Sequence, residues 1–402
     1  MHDHQVLIFT ALMIFLFGLV SKVSERWLIT GPMVFAGVGV LVSPIGLDLF
    51  TLHASGGTVK LIAEITLMLI LFVDATLIDT SVLRNAPGKL PTRLLGIGLP
   101  LTMCLGFGFG VMMFPDVNWW VIALVALILS PTDAALGQAV VKSEMVPDHI
   151  RQSISVESGL NDGIALPPIL MCLAALGADA SEHQGSWLLF MLKQLGFGVL
   201  VGGLVGWVGS RLMDQVSALG WMESTFQRLS ALSLALLAFA LAEALGGNGF
   251  IAAFCGGLAV STGSPEIRER IHEYGEAEGT LLSMGVFLVF GLAMIPLSVE
   301  FWSWRVWVYA LASLTVIRMV PVAIALWGSG MDRMTTLFIG WFGPRGIASV
   351  LYILIAASAI GVDDFRDAFA VIVLVVTLSI YAHGISAIPF CRALGKRTAS
   401  VN

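Results

Sequence analysis

Charge is what this chain has least of. Asp, Glu, Lys and Arg make up 12% of its 402 residues, against about 25% in soluble domains. That scarcity excludes an ordinary water-soluble globule. Cysteine is scarce too: Cys104, Cys172, Cys255 and Cys391 stand at unrelated spacings, which excludes a disulfide framework and a metal-binding pattern. They read as small apolar packing residues. The seven histidines are scattered, mostly in the tail and loops, with His383 in the last apolar run. They suit solvated or capping roles better than ligation, with His149 and His272 as candidate pH sensors. No phosphate-cradling glycine loop is present, so an ATP-driven pump is not expected. The first apolar run lacks a basic leader and a small-residue cleavage site and reads as a span. Only about a dozen residues follow the last run, so no appended cytoplasmic domain is expected. Neither a cofactor, an enzymatic activity nor a nucleic-acid partner is expected.

What the chain does have is apolar length. It is 57% hydrophobic with a mean hydropathy of +0.91. Apolar runs recur from 5–20 through to 365–390. They give about thirteen transmembrane helices, each near the ~20 residues a bilayer requires. The expected fold is therefore an all-α polytopic membrane protein, one membrane transport domain over 1–402. Basic residues gather in alternate connections, from Lys22 and Arg26 through Arg151 and Arg211 to Arg392 and Arg397. The intervening connections hold little beyond Lys60, Arg305 and Arg366. The positive-inside rule then puts the C-terminus in the cytoplasm and the N-terminus outside.

The two halves are weakly alike. Gly31–Ser43 laid on Gly249–Ser261 at an offset of 218 matches at Gly, Gly, Val and Ser. Ser130-Pro-Thr-Asp133 falls opposite Phe342-Gly-Pro-Arg345. Two proline-interrupted spans in matched places predict two inverted six-helix repeats, 1–174 and 226–390. A linker helix region, 175–225, joins them, and a short tail follows over 391–402. Transporters of this architecture bind their ions where interrupted helices cross near the midplane.

Two acids lie within such runs. Asp133 sits in Leu-Ser-Pro-Thr-Asp-Ala-Ala-Leu and Asp162 in Val-Glu-Ser-Gly-Leu-Asn-Asp-Gly. A carboxylate at this depth costs roughly 2.5–3.5 kcal/mol on insertion scales, so it marks a polar path by default. The plainer reading is a buried ion pair that joins helices. Pro131 removes an amide and clashes with the preceding turn, which predicts unwinding over 129–134 beside the Thr132 hydroxyl. Ser158, Asn161 and Asp162, at i, i+3 and i+4, share one helix face, and their oxygens suit a small hard cation. Glu157 points elsewhere and needs its own partner. Arg318, in the middle of the eleventh run, is assigned to it as a structural salt bridge. Pro344 and Arg345, in Gly-Pro-Arg-Gly, predict a second helix break, with the guanidinium serving freed carbonyls. Asp74, in the third run, is either a guard of the cytoplasmic approach or an acid near a helix end. Glu243 reads as a helix-end acid with a structural role.

Taken in order and spacing, Thr132-Asp133, Glu157-Ser-Gly-Leu-Asn-Asp162-Gly and Gly343-Pro-Arg-Gly346 resemble the monovalent cation/proton antiporters of the NhaP and NHE type. The chain departs from that pattern where Pro131 precedes the Thr-Asp pair instead of following it, and where Asp74-Ala75 replaces Glu-Gly. The resemblance implies thirteen crossed and interrupted helices, a homodimer in the bacterial inner membrane, and an elevator-like exchange. It implies that Thr132, Asp133, Ser158 and Asp162 bind the ion while Asn161 shapes the site. Electrogenic relatives carry an acid at the Asn161 position, so the amide implies one proton exchanged for one Na⁺, Li⁺ or K⁺. A sodium-coupled symporter of an organic solute and a cation channel are the competing readings.

Overall fold

The computed structural model describes residues 2–26, 29–51, 57–78, 89–133, 136–177, 187–263, 265–361 and 365–401. Among the described residues there are helices and turns and no strand. Lipid offers backbone amides no partner, and a helix satisfies them within one segment.

In chain order the helices are α1 His2–Arg26, α2 Gly31–Val42, α3 Gly57–Thr76, α4 Leu99–Met113, α5 Trp119–Ile128, α6 Asp148–Leu176, α7 Trp187–Ala218, α8 Ser224–Ala244, α9 Gly249–Val260, α10 Pro265–Val289, α11 Trp304–Leu314, α12 Val316–Ala325, α13 Arg333–Trp341, α14 Ile347–Ile360 and α15 Arg366–Val401. Short or π-helical turns precede α4, follow α5 and continue α10. Seven of the described helical stretches are long and apolar enough to cross a membrane. The two segments aligned by sequence at an offset of 218 become α2 and α9, each of 12 residues with matching ends.

Packing divides the chain into two interleaved units. One comprises Met1–Lys60, Ser81–Ser158 and Leu281–Asn402; the other comprises Leu61–Thr80 and Gly159–Thr280. The chain passes from the first to the second within α6, after Ser158.

In the first unit, Val146, Ile150 and Ile154 form a buried cluster with Val322, Phe338, Phe342 and, from α15, Cys391 and Leu394. Helix ends are served locally. Asn118 Oδ1 accepts from Trp120 N at 2.9 Å. Arg93 donates to Ala325 O and Trp327 O, at the end of α12. Asp332 caps α13 by accepting from the amides of Met334 and Thr335. The Thr335 hydroxyl and then these amides hold the exposed Asp332 carboxyl below its ordinary range. A depressed carboxyl contributes its stability above the unfolded pKa and loses it as pH falls through the folded value.

The second unit is built on close backbone contact. Lipid tails are as apolar as leucine, so helix association in a membrane relies on packing of small residues. Gly198, Gly202 and Gly206 recur every four residues on α7, which stacks them on one face. A Cβ at Gly202 would lie 2.1 Å from Ala252 O, and one at Gly206 2.1 Å from Gly256 O. The neighbouring Gly203 faces open space. Asn248 and Glu243 fasten the start of α9: Asn248 Oδ1 accepts from Phe250 N and Ile251 N, and Glu243 Oε1 accepts from Gly249 N at 2.7 Å. Glu243 thus joins α8 to α9. Of the cysteines, Cys172 and Cys391 are buried, Cys255 is half-buried and Cys104 is exposed.

Gly202→Ala should cost about 1–3 kcal/mol through overpacking, whereas Gly203→Ala, with open space around it, should leave stability intact or raise it by up to about 1 kcal/mol. Thermal melting of the two purified variants in one detergent checks the contrast. Equal melting temperatures would remove the α7–α9 contact as the cause.

Candidate functional site

The site grows from two helix breaks in the first unit. α5 stops at Ile128, and the chain runs without helix through Thr132 and Asp133. Ala134 and Ala135 lie outside the described residues. α13 stops at Trp341, and Phe342–Gly346 are non-helical before α14 begins. Prolines at 131 and 344 account for both stops, because neither donates an amide.

The two breaks satisfy each other. Asp133 N donates to Pro344 O at 2.8 Å. In return the Asp133 carboxylate accepts from Ile347 N at 2.5 Å through Oδ2 and from Leu136 N at 3.2 Å through Oδ1. Arg345 Nη1 donates to Pro131 O at 3.1 Å and to Gly343 O at 2.9 Å. Ser349 Oγ donates to Ile128 O at 2.9 Å, at the end of α5. The carbonyls of Ile128, Pro131 and Pro344 therefore each find a donor on the opposite side. The N-terminus of α14 presents its positive end to Asp133 and stabilises the negative charge.

Glycine makes the approach feasible. A Cβ at Gly346 would lie 2.0 Å from Asp133 Oδ2, and one at Gly343 2.6 Å from Arg318 Nε. No other residue type fits at either place without moving a charged group.

Beside the breaks, Thr132 Oγ1 and Ser158 Oγ lie 3.0 Å apart. This contact joins the unwound segment to α6. Glu157, the residue before Ser158, accepts from Arg318 Nη2 at 2.6 Å, with both side chains 1% exposed. Arg318 Nε and Nη1 and Arg345 Nε and Nη2 have no hydrogen-bond partner among the described residues. Buried guanidinium donors of this kind are usual sites of ordered water.

The second unit contains Asn161 and Asp162, both buried on α6. Asp162 follows Ser158 by one turn of that helix. Gly159 meets Asp74 O across a gap of 3.6 Å from its Cβ direction, and Gly163 lies against the Phe254 ring. α3 and α9 thus flank this part of α6. Asp74 is half-buried near the end of α3. Among the described residues, no three His, Cys, Asp or Glu side chains converge as they would around a bound divalent metal.

Sequence reasoning missed Ser349, Ser379 and His383. His383, placed by sequence in the last span with a solvated or capping role, is not solvated but does meet the carbonyl that ends α13. It is 2% exposed, with Nε2 2.8 Å from Trp341 O. Serines and a histidine spaced along apolar helices carry no motif, and only the folded arrangement shows which carbonyl each one meets.

Known proteins resemble this chain in sequence and in fold. Residues 9–393 match the family described as "Sodium/hydrogen exchanger, transmembrane". Among similar curated proteins is the K⁺/H⁺ antiporter NhaP2 of Shewanella sp. (strain MR-4), 25% identical over 374 residues, covering 92% of this chain and 63% of that protein. A probable Na⁺/H⁺ antiporter of Schizosaccharomyces pombe is 25% identical over 379 residues, covering 87% of this chain and 48% of its own length. The chain thus spans less than two thirds of these relatives. The solved sodium proton antiporter MjNhaP1 of Methanocaldococcus jannaschii shares the fold, with a TM-score of 0.77 at 18% identity, covering 96% of this chain and 100% of that one.

Glu157→Ala leaves Arg318 buried without its carboxylate and should cost about 3–5 kcal/mol. Adding Arg318→Ala should recover part of that loss. A double-mutant cycle on unfolding free energies measures the coupling, and strict additivity would show that the pair contributes nothing as a pair.

Proposed function

The chain belongs to the sodium/hydrogen exchanger family, and on that premise we propose that it exchanges a monovalent cation for a proton across a membrane. Similar proteins carry K⁺/H⁺ and Na⁺/H⁺ antiporter names, and both cations, with Li⁺, are candidate substrates here. The observation that carries the reading is the pair of crossed breaks. They bury Asp133 and bring the Thr132 hydroxyl against Ser158 of α6, and within a membrane irregular backbone persists only when buried in protein or lining water.

In this reading Asp162 alternates between proton and cation, and Thr132, Asp133 and Ser158 complete the oxygen set. Asn161 shapes the site, and Asp74 lies on the approach to it. Glu157 and Arg318 are structural, and Pro131, Pro344 and Arg345 maintain the breaks. A proton and a dehydrated cation compete for the same oxygens, so each is released where the other is abundant. Loading of either permits the site to turn to the opposite side, which is exchange by alternating access.

Charge supports a one-for-one exchange. The buried charged side chains among the described residues are Asp133, Glu157, Asp162, Arg318 and Arg345. Three acids against two guanidiniums leave one negative charge in excess. One proton or one monovalent cation neutralises it, so either loaded form crosses with the same net charge.

The helices make thirteen passes if α5 is completed by Gln138–Val141 and if α11 with α12, and α13 with α14, each count once. The equal lengths of α2 and α9 support inverted repeats over 1–174 and 226–390, with 175–225 as linker and 391–402 as tail. The basic residues favour an outside N-terminus and a cytoplasmic C-terminus in a bacterial inner membrane. A second copy of the chain is the expected partner.

Asp162→Asn should abolish exchange while leaving a folded, monodisperse protein. Cation-driven dequenching of a pH dye in everted vesicles measures this, and full activity in the variant would overturn the role of Asp162. Proton movement on cation addition also separates exchange from a channel or a solute symporter. In proteoliposomes with an imposed potential, the wild-type rate and end-point should not depend on voltage. A cation gradient that tracks the potential would instead mean more than one proton per cation.

A further inference from the structure

The break between α13 and α14 is also held from α15. Arg345 N donates to Ser379 Oγ at 2.7 Å. One turn further along α15, His383 places Nε2 2.8 Å from Trp341 O. Its Nδ1 lies 2.9 Å from Ser379 O and 3.2 Å from Ser379 Oγ. The ring stacks on the Trp341 indole at 5.1 Å, and the indole Nε1 donates to Ser386 Oγ at 2.8 Å. Trp341 O also accepts from Gly343 N at 2.8 Å, so both lone pairs of that carbonyl are used. Ser379, His383 and Arg345 are all buried.

These contacts fix main-chain atoms and not merely side-chain volume. Trp341 is the last helical residue before the break, and Arg345 stands two residues before Ile347, whose amide meets Asp133. α15 therefore holds the segment at its entry and near its exit. Asp133 and Arg345 hold the same segment from the side of α5.

We propose that Ser379 and His383 are positioning residues of the cation site. Through the backbone of Trp341–Arg345 they set where the Ile347 amide meets the Asp133 carboxylate. The inference rests on the reading of Asp133 as part of that site. Without the Ser379 hydroxyl, the Arg345 amide must turn to another acceptor, and the segment carrying Pro344 O and Ile347 N shifts with it. Asp133 then keeps its charge but loses the geometry that orients its oxygens.

The test is cation-dependent stabilisation of the purified full chain, read as melting temperature against Na⁺, K⁺ and Li⁺ concentration. Ser379→Ala should raise the half-stabilising concentration by about tenfold. Ser379→Thr keeps the hydroxyl and should return it to within about threefold of wild type. His383→Gln should raise it in the same direction. A wild-type midpoint in Ser379→Ala, whatever its melting temperature without cation, would show a merely structural role and overturn the proposal. If Ser379→Ala does not fold, a wild-type midpoint in His383→Gln overturns it equally. A wild-type protein that responds to none of the three cations would overturn the cation-site reading and this inference with it. A responsive wild type whose midpoint Ser379→Ala and His383→Gln share overturns the inference alone.

Discussion

A break in a membrane-buried helix frees backbone groups that lipid cannot serve, and the rest of this structure depends on how they are served. Two such breaks stand side by side in one unit, and each supplies what the other lacks. Asp133 N meets Pro344 O, Ile347 N meets the Asp133 carboxylate, and Arg345 reaches Pro131 O. A single interrupted helix would leave several groups unmet at a few kcal/mol each. The pairing makes the irregularity tolerable and places a carboxylate there as part of the solution. The acid is thus at once a structural acceptor and a negative charge next in the chain to the Thr132 hydroxyl.

The apolar parts of the chain follow a different rule. Burial of leucine or valine contributes little to helix association when the alternative is lipid. The second unit accordingly relies on glycines that let α7 and α9 touch backbone to backbone. In the first unit, glycines at 343 and 346 allow charged groups to approach the main chain. The first unit also packs on glycine, since a Cβ at Gly291 would lie 2.1 Å from Ala36 O, so there one residue type serves both packing and electrostatics.

Much of this was legible in the sequence because the expensive residues are few. Proline, aspartate and arginine inside apolar runs stand out against leucine and valine, and each demands a physical account. Pro131 and Pro344 located both interruptions, and the isolation of Glu157 from the Ser158–Asp162 face called for a distant cation, which the structure supplies as Arg318. The number of passes was less legible, because short helices such as α2, α5 and α9 fall below a full membrane span. The division into two interleaved units was not legible at all, since apolar periodicity reports a buried face without naming its partner. Ser349, Ser379 and His383 escaped for a related reason. A hydroxyl on a helix costs little locally and usually bonds its own preceding turn, as Thr377 Oγ1 does with Val373 O. Nothing in the local sequence separates that serine or threonine from one that reaches across to another helix.

The two-way bonding at Asp133 has a mechanical consequence. A residue that donates to Pro344 and accepts from Ile347 acts like a rung fixed at both ends, and Arg345 and Ser349 add rungs on either side. Pulling the two segments apart would require several buried bonds to break together. They consequently behave as a single stiff plate. Any rearrangement that leaves these bonds intact moves 128–133 and 343–349 together, and the Asp133 backbone travels with Pro344 and Ile347.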